Sequence, residues 1–102
     1  MQYKLSQQIT ATISGSLSFA DTSEWNKMID SMLEYESFEF MLDMSELTSI
    51  DSSGIGLMIV LRDRMEAADG SLTVVKPRDK NVVSILKLVN LQALFPLVDA
   101  PP

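Results

Sequence analysis

The chain has 102 residues, of which 46% are hydrophobic and 22% charged, a composition typical of one ordinary globular domain. Its net charge is −6 and its eight basic residues form no cluster, which disfavours nucleic acid or an anionic membrane surface as a partner. Cysteine and histidine are absent. Their absence excludes disulfides, a Ser-His-Asp or Cys-His catalytic arrangement and a conventional zinc site within the chain.

Sequence motifs of nucleotide-dependent enzymes are missing as well. No GxxxxGK[ST] loop occurs, and no GxGxxG follows a predicted strand. The fourteen acidic residues are mostly spread over predicted helix faces and turns, where solvation is their ordinary role. These observations predict a protein that is not an enzyme and needs no cofactor or metal. A polar amino terminus and the lack of a long apolar run predict a soluble, cytoplasmic protein.

The first part of the chain predicts two strands and a helix. Strict alternation in "QITATISG" places apolar residues on one side of a strand and hydroxyl side chains on the other, and a shorter strand, "YKL", precedes it. Asp21, followed three positions later by Glu24, resembles a capping box. We therefore expect a helix that begins there and reaches about Glu36. Its apolar stripe comprises Trp25, Met28, Ile29, Met32 and Leu33.

The rest of the chain continues to alternate strands with helices. "FEFMLDM", residues 38–44, predicts a mostly buried strand. A helix over residues 52–69 should stop at Gly70, a residue suited to the left-handed conformation. The strand "SLTVV" follows, and then a third helix that Asp79 caps and Asn90 stops. A short strand, "FPLV", closes the series, and the last residues form a frayed tail.

This order of elements, β-β-α-β-α-β-α-β, predicts an α/β fold with a mixed sheet of four to five strands. Alternating strands and helices require parallel pairing through right-handed crossovers, and the first strands can pair antiparallel at an edge. Short connections that step in one direction should place the helices mainly on one face. We predict a single domain over residues 1–99, with residues 100–102 as the tail.

The segment "SIDSSGIG" joins the third predicted strand to the second helix. Asp51 is the expected N-cap, and its carboxylate can accept the backbone N–H of Ser53 or Gly54. Ser52 and Ser53 are then the first two helical residues, at the electropositive end of the helix dipole. From "DSSG" alone, helix capping is the simpler interpretation of the serines. The functional interpretation is phosphorylation, which a helix N-terminus tolerates.

A helical wheel divides the second helix into two faces. Its sheet-facing side should comprise Leu57, Met58, Leu61, Met65 and Ala68. Ile55 and Ile59 fall on the polar side, next to a first turn that Gly54 and Gly56 leave bare. These residues predict either an exposed apolar surface for a partner or a pair of isoleucines that neighbouring elements cover.

Nearly the whole chain resembles the STAS domain of bacterial anti-sigma factor antagonists. Two stretches carry the resemblance: "DMSELTSIDSSGIG", which is similar to the family's D-x-S-x-[IL]-D-S-S-G-[IL]-G core, and "NLQALFPLVD", which resembles its G-L-x-x-L-F-P-I tail. The family often has G-x-L-D after its second strand, whereas this chain has "GSLS", with Ser18 at the position of the acid and Asp21 as the nearby alternative. Asn90 replaces the family's usual glycine, and it tolerates the same left-handed conformation.

The resemblance implies a small binding switch. A serine kinase that is also an anti-sigma factor would phosphorylate Ser53, and a PP2C-type phosphatase would restore the serine. Only the unphosphorylated form would bind the kinase and so free a sigma factor or another target. Asp51, Ser52, Gly54 and Gly56 would then shape the loop around the switch residue.

Two other classes of protein stay open at this point. A STAS domain can be a structural subunit of a transporter or of a larger signalling assembly, in which case Ser53 need not be phosphorylated. A small hydrolase or nucleotide-processing enzyme is the third class. It lacks a histidine, a phosphate-binding loop and metal ligands.

Overall fold

The computed structural model describes residues 1–5, 9–35 and 39–101, which fold around one five-stranded sheet. β1 pairs antiparallel with β2, and β2, β3, β4 and β5 follow one another in parallel, in the order of the sequence. The predicted mixed α/β sheet, including its short last strand, is confirmed. The elements are β1 (Gln2–Leu5), β2 (Thr10–Leu17), α1 (Thr22–Leu33), β3 (Glu39–Ile50), α2 (Ser52–Ala67), β4 (Ser71–Val75), α3 (Lys80–Leu88) and β5 (Leu97–Val98), with single 3-10 turns at Phe19–Asp21 and Leu91–Ala93.

The third strand is much longer than its sequence pattern predicts. β3 continues six residues past Met44, because its second half pairs with β2 as far as the Leu17–Ile50 pair. The register between these strands shifts twice along that stretch. Such irregularities interrupt the alternation of buried and exposed residues. The apolar-polar alternation that identifies a strand in the sequence is therefore absent from this part of β3. The predicted starts of β2 at residue 8 and of β3 at residue 38, and the predicted end of α1 at residue 36, lie outside the described residues.

Buried side chains of the sheet and of α1, α2 and α3 form a single core. The predicted stripe of α1 is confirmed for its four fully buried members, while Leu33 is only partly buried. The sheet-facing side of α2 is confirmed for four residues, but the prediction for Ala68 was wrong. Ala68 is exposed and follows the last residue of α2, Ala67, where the helix ends two residues earlier than predicted. The buried apolar side chains of α1, α2 and α3 are those of Trp25, Met28, Ile29, Met32, Leu57, Met58, Leu61, Met65, Val82 and Leu86.

A residue in the left-handed conformation follows the carboxyl end of α2 and of α3, but only one of the two is the predicted residue. Asn90 has a φ of +54°, as expected for the residue that stops α3. After α2, however, Asp69 takes this conformation with a φ of +60°, and the prediction for Gly70 was wrong. Gly70 is needed for another reason, since a Cβ there would lie 2.8 Å from a ring carbon of Phe40. Its N–H donates to the Met65 carbonyl at 2.8 Å and closes the helix.

The segment that resembles the family's tail packs against α2 and the sheet. Leu91 and Phe95 are buried, and the Phe95 ring lies 5.8 Å from the guanidinium carbon of Arg62 on α2. The Val74 N–H of β4 donates to the Pro96 carbonyl at 2.9 Å, immediately before β5. The tail motif therefore closes the core and joins the last strand to α2.

Helices α1 and α2 lie side by side and run in the same direction. Near their starts, the Trp25 indole N–H donates to the Leu57 carbonyl at 2.6 Å. Near their ends, the Arg64 guanidinium donates to the Asp30 carboxylate at 2.7 Å. These pairs are 32 and 34 residues apart in sequence, and such a nearly constant offset requires parallel helices. Their amino termini therefore lie next to each other, beyond the carboxyl ends of β2 and β3.

Candidate functional site

Asp51 begins α2 by capping it with its side chain. The residue has extended backbone angles, and its Oδ1 accepts the Gly54 N–H at 2.8 Å. The Asp51 carbonyl accepts the Ile55 N–H at 3.1 Å, the first hydrogen bond of the helix. The predicted N-cap is confirmed. Since the Asp51 carboxylate supplies the cap, capping does not account for Ser52 and Ser53.

The two serines differ in their exposure to solvent. Ser52 is exposed, and Ser53 is half-buried at the same first turn. Both stand where the unpaired N–H groups of α2 make the surroundings electropositive. An anionic group added to either hydroxyl would gain from that dipole, by about 0.3–1 kcal/mol at an exposed site.

Gly54 is a glycine because the end of β2 passes directly over it. A Cβ at this position would overlap the Leu17 carbonyl oxygen and lie 2.8 Å from Ile50 Cγ1. The same Leu17 carbonyl accepts the Asp51 N–H at 3.3 Å. Gly54 therefore lets α2 start in contact with β2 and fixes the position of the adjoining Ser53.

Gly56 lies in the opposite kind of environment. It is exposed, and apart from its chain neighbours and the backbone of its own helix, no atom lies within 4 Å of where its Cβ would be. The interior of the protein therefore places no demand for a glycine at this position. The predicted bare surface exists at Gly56. At Gly54, the Leu17 carbonyl and the Ile50 side chain occupy the space that a side chain would need.

The two isoleucines beside this turn are partly covered, which agrees with the second of the two predicted alternatives. Ile55 and Ile59 are both half-buried, and Ile55 packs against the core. The more exposed side chain is Val60, at 40%. Gly56 and Val60 are four residues apart and share one face of the helix. The exposed strip of α2 thus runs through Ser52, Gly56 and Val60, with Ile59 at its margin.

A second structural feature lies at the same edge, where β2 turns into α1. Leu17 pairs with Ile50, so the residues that follow each strand emerge together. The turn at Phe19–Asp21 is closed by Asp21, whose Oδ2 accepts the Ser18 N–H at 2.9 Å. Its Oδ1 accepts from the amino-terminal ammonium of Met1 at 2.8 Å. The predicted capping box with Glu24 was wrong, because Asp21 caps this preceding turn instead.

The hydrogen bonds of Asp21 also set its protonation. Burial raises the pKa of this carboxyl group, but the Met1 ammonium and the Ser18 N–H lower it by more. The pKa of Asp21 therefore lies below its ordinary value of 3.8. The carboxylate is charged near neutral pH, and both of its oxygens are engaged by its own chain.

Phe19, which sequence reasoning did not single out, stands in this turn. Its side chain is 77% exposed, whereas Phe40 and Phe95 are 4% and 3% exposed. The only signal in the sequence is an aromatic residue two positions before the acid Asp21. Nothing in the local pattern separates it from an aromatic residue of the core.

The predicted site residues thus share one edge of the sheet, with Asp51, Ser52, Ser53 and Gly56 on α2 and Asp21 on the adjoining turn. None of them lines the cavity of about 460 Å³ between α3 and β5, whose lining includes Lys76, Val83, Leu86, Lys87 and Leu97. Across residues 1–5, 9–35 and 39–101, no acidic cluster could hold a metal ion. In the same part of the chain, no helix is long and apolar enough to span a membrane.

Comparison with known proteins identifies the family. A comparison with curated proteins gives no match. Among solved structures, the fold is similar to that of a candidate anti-sigma factor antagonist from Thermotoga maritima, with a TM-score of 0.74 and 19% identity over 98% of this chain and 86% of that chain. It is also similar to the anti-sigma factor antagonist SpoIIAA in its unphosphorylated form, with a TM-score of 0.68 and 18% identity over 98% of this chain and 88% of that one.

The Bacillus cell fate determinant SpoIIAA in its phosphorylated form matches with the same TM-score, 0.68, and 18% identity over 98% of this chain and 90% of that one. At these identities the likeness concerns the fold. The family model described as the STAS domain matches residues 3–100. The chain therefore belongs to the STAS domain family.

Proposed function

We propose that this STAS domain is an anti-sigma factor antagonist-type switch. Its unphosphorylated form binds a serine kinase that acts as an anti-sigma factor, or a similar partner. Phosphorylation of Ser53 blocks that binding, and a PP2C-type phosphatase reverses it. The protein is a binding component, and the phosphate transfer is the work of its partners.

The observation that carries the proposal is the division of labour at the start of α2. The Asp51 carboxylate caps the helix and Gly54 admits the end of β2, so both have structural roles. Ser53 is held between them without being the cap. The Asp51 cap and the contact of Gly54 with Leu17 define the position of this helical turn, so a kinase would meet the Ser53 hydroxyl in one geometry.

Electrostatics explains why phosphorylation would block binding without unfolding the protein. A phosphoserine adds about −1.5 to −2 charges, and at Ser53 these would meet the positive end of the α2 dipole. In a complex, the same charge would be buried against a partner that did not evolve to pair with it. An unpaired buried charge costs about 2–5 kcal/mol, which corresponds to an affinity loss of about 30-fold to a few thousand-fold.

SpoIIAA, whose fold this chain shares, has been solved in an unphosphorylated and a phosphorylated form. This supports the proposal that the same fold can accept the modification here. The alternative function is a structural STAS subunit of a transporter or signalling assembly. It predicts that Ser53 is not phosphorylated in cells. Mass spectrometry of the protein from its own cells distinguishes the two functions.

The direct test uses purified protein, ATP and a candidate serine kinase from the same cells. Wild type, Ser52→Ala and Ser53→Ala are incubated in parallel, and the labelled peptides are mapped. We expect label in wild type and in Ser52→Ala, and none in Ser53→Ala. Label that persists in Ser53→Ala but disappears in Ser52→Ala would move the switch to the other serine. An endogenous protein with no phosphate under any growth condition would favour the structural subunit.

A further inference from the structure

The turn between β2 and α1 displays an aromatic side chain that the fold does not use. Phe19 is 77% exposed, more than any other large hydrophobic side chain of the described residues except Leu88, which is 86% exposed. An exposed phenylalanine leaves a large apolar area in water, at about 25 cal/mol per Å². Burying this area against another apolar surface would therefore lower the free energy.

The backbone that carries Phe19 is held in place on both sides. Asp21 accepts the Ser18 N–H at 2.9 Å, and the Asp21 N–H donates to the Ser18 carbonyl at 3.0 Å. The Thr22 hydroxyl donates to the carbonyl of Phe19 itself at 2.7 Å. An aromatic side chain on a fixed turn loses little conformational entropy when it is bound. Exposure combined with a rigid backbone is a property of an anchor residue in an interface.

The turn also lies beside the proposed switch serine. The Leu17 carbonyl touches Gly54, the neighbour of Ser53, and Phe19 follows Leu17 by two residues, or at most about 7 Å of chain. Because Leu17 and Ile50 pair at the ends of β2 and β3, Phe19 and Ser53 both lie just beyond the carboxyl ends of these neighbouring strands. One partner of standard size, covering about 800 Å² of the protein, reaches both residues.

We propose that Phe19 is the aromatic anchor of the partner interface, and that its ring enters an apolar pocket on the same kinase-type partner that reaches the Ser53 hydroxyl. This inference rests on the proposed function and adds the chemistry of recognition to it. Both oxygens of the Asp21 carboxylate accept hydrogen bonds from Met1 and Ser18. In the turn between β2 and α1, the Phe19 ring is therefore the side chain that a partner can bind. The partner's contact surface accordingly carries an aromatic-sized apolar pocket near its phosphate-transferring site.

The test measures the affinity of the purified kinase that phosphorylates Ser53 for four unphosphorylated proteins. These are wild type, Phe19→Ala, Phe19→Tyr and Leu88→Ala, the last being a control at an equally exposed apolar residue on α3. We expect Phe19→Ala to weaken binding about 30-fold, as for an interface anchor worth about 2 kcal/mol. Phe19→Tyr should stay within about threefold of wild type, and Leu88→Ala should bind like wild type. All four should melt within about 3 °C of one another, since the changes are at the surface.

Three results would overturn the inference. The first is a Phe19→Ala protein that binds the kinase within about threefold of wild type. The second is an equal loss of affinity in Leu88→Ala, which would show a general surface effect. The third is sedimentation in which wild type self-associates and Phe19→Ala does not, with kinase affinity unchanged, which would assign the ring to contacts between copies. Failure of the proposed function looks different, because phosphorylated wild type would then bind as tightly as unphosphorylated wild type.

Discussion

Gly54 and Gly56 stand two positions apart on the same helix, and the structure predicts opposite effects of alanine at the two sites. In Gly54→Ala, the added methyl overlaps the Leu17 carbonyl oxygen and crowds Ile50. The carbonyl belongs to the backbone of β2, so it cannot move aside as the end of a flexible side chain would. In Gly56→Ala, the methyl projects into open space.

The expected magnitudes follow from these surroundings. Overpacking costs about 1–3 kcal/mol, and displacing Leu17 also weakens its hydrogen bond from the Asp51 N–H, worth about 0.5–1.5 kcal/mol. Helix propensity returns up to about 1 kcal/mol when alanine replaces glycine. Gly54→Ala should therefore lose about 1–3 kcal/mol of folding free energy. Gly56→Ala has only the propensity term and should gain up to about 1 kcal/mol.

Denaturant titration and thermal unfolding of the two variants, beside wild type, check this prediction. The resulting gap of about 1–4 kcal/mol between the variants corresponds to roughly 4 °C or more in Tm. A Gly54→Ala protein as stable as wild type would show that β2 does not press on the start of α2, and the account of how Ser53 is positioned would fail. A loss of stability in Gly56→Ala would show that its surface is covered.

Three further predictions concern the core, the helix cap and pH. Leu61→Ala should lose about 2–5 kcal/mol by denaturant titration, since Leu61 is fully buried, and a loss below about 0.5 kcal/mol would contradict the orientation of α2. Asp51→Ala should lose about 0.5–2 kcal/mol by the same measurement, and an unchanged stability would show that the Gly54 N–H has another acceptor. Because the folded-state pKa of Asp21 is lowered, its carboxylate should contribute stability fully above pH 3.8 and lose that contribution as pH falls through the lower folded-state value. Asp21→Asn should therefore be less stable than wild type at neutral pH and approach it at acidic pH, and curves that stay parallel would contradict the assignment.

The parts of the fold that local sequence determines were predictable. The cap at Asp51, the stripe of α1 and the left-handed Asn90 each follow from residues a few positions apart. The extension of β3 was not predictable in this way. It depends on pairing with β2, a strand more than 30 residues away, and the register shifts remove its alternation.

Two features of the site were missed for related reasons. Glu24 follows Asp21 at the spacing of a capping box, but the Asp21 carboxylate binds the Ser18 N–H and the Met1 ammonium, which is 20 residues earlier in the chain. On α2, apolar residues occur on both faces, so a wheel fixes the rotation of the helix poorly. It placed Ile59 outward, whereas Val60 is the more exposed residue. Local periodicity cannot decide between such neighbours when the packing of the sheet sets the rotation.

The central claim is that a charge on Ser53 blocks a partner without unfolding the domain. The most direct measurement compares the protein phosphorylated at Ser53 with the unphosphorylated protein, for kinase affinity and for Tm in the same buffer. The account predicts an affinity lower by about 30-fold to a few thousand-fold, with a Tm that is unchanged or slightly higher. Equal affinity of the two forms would contradict the switch, and a phosphoprotein that binds poorly because it has unfolded would contradict the mechanism.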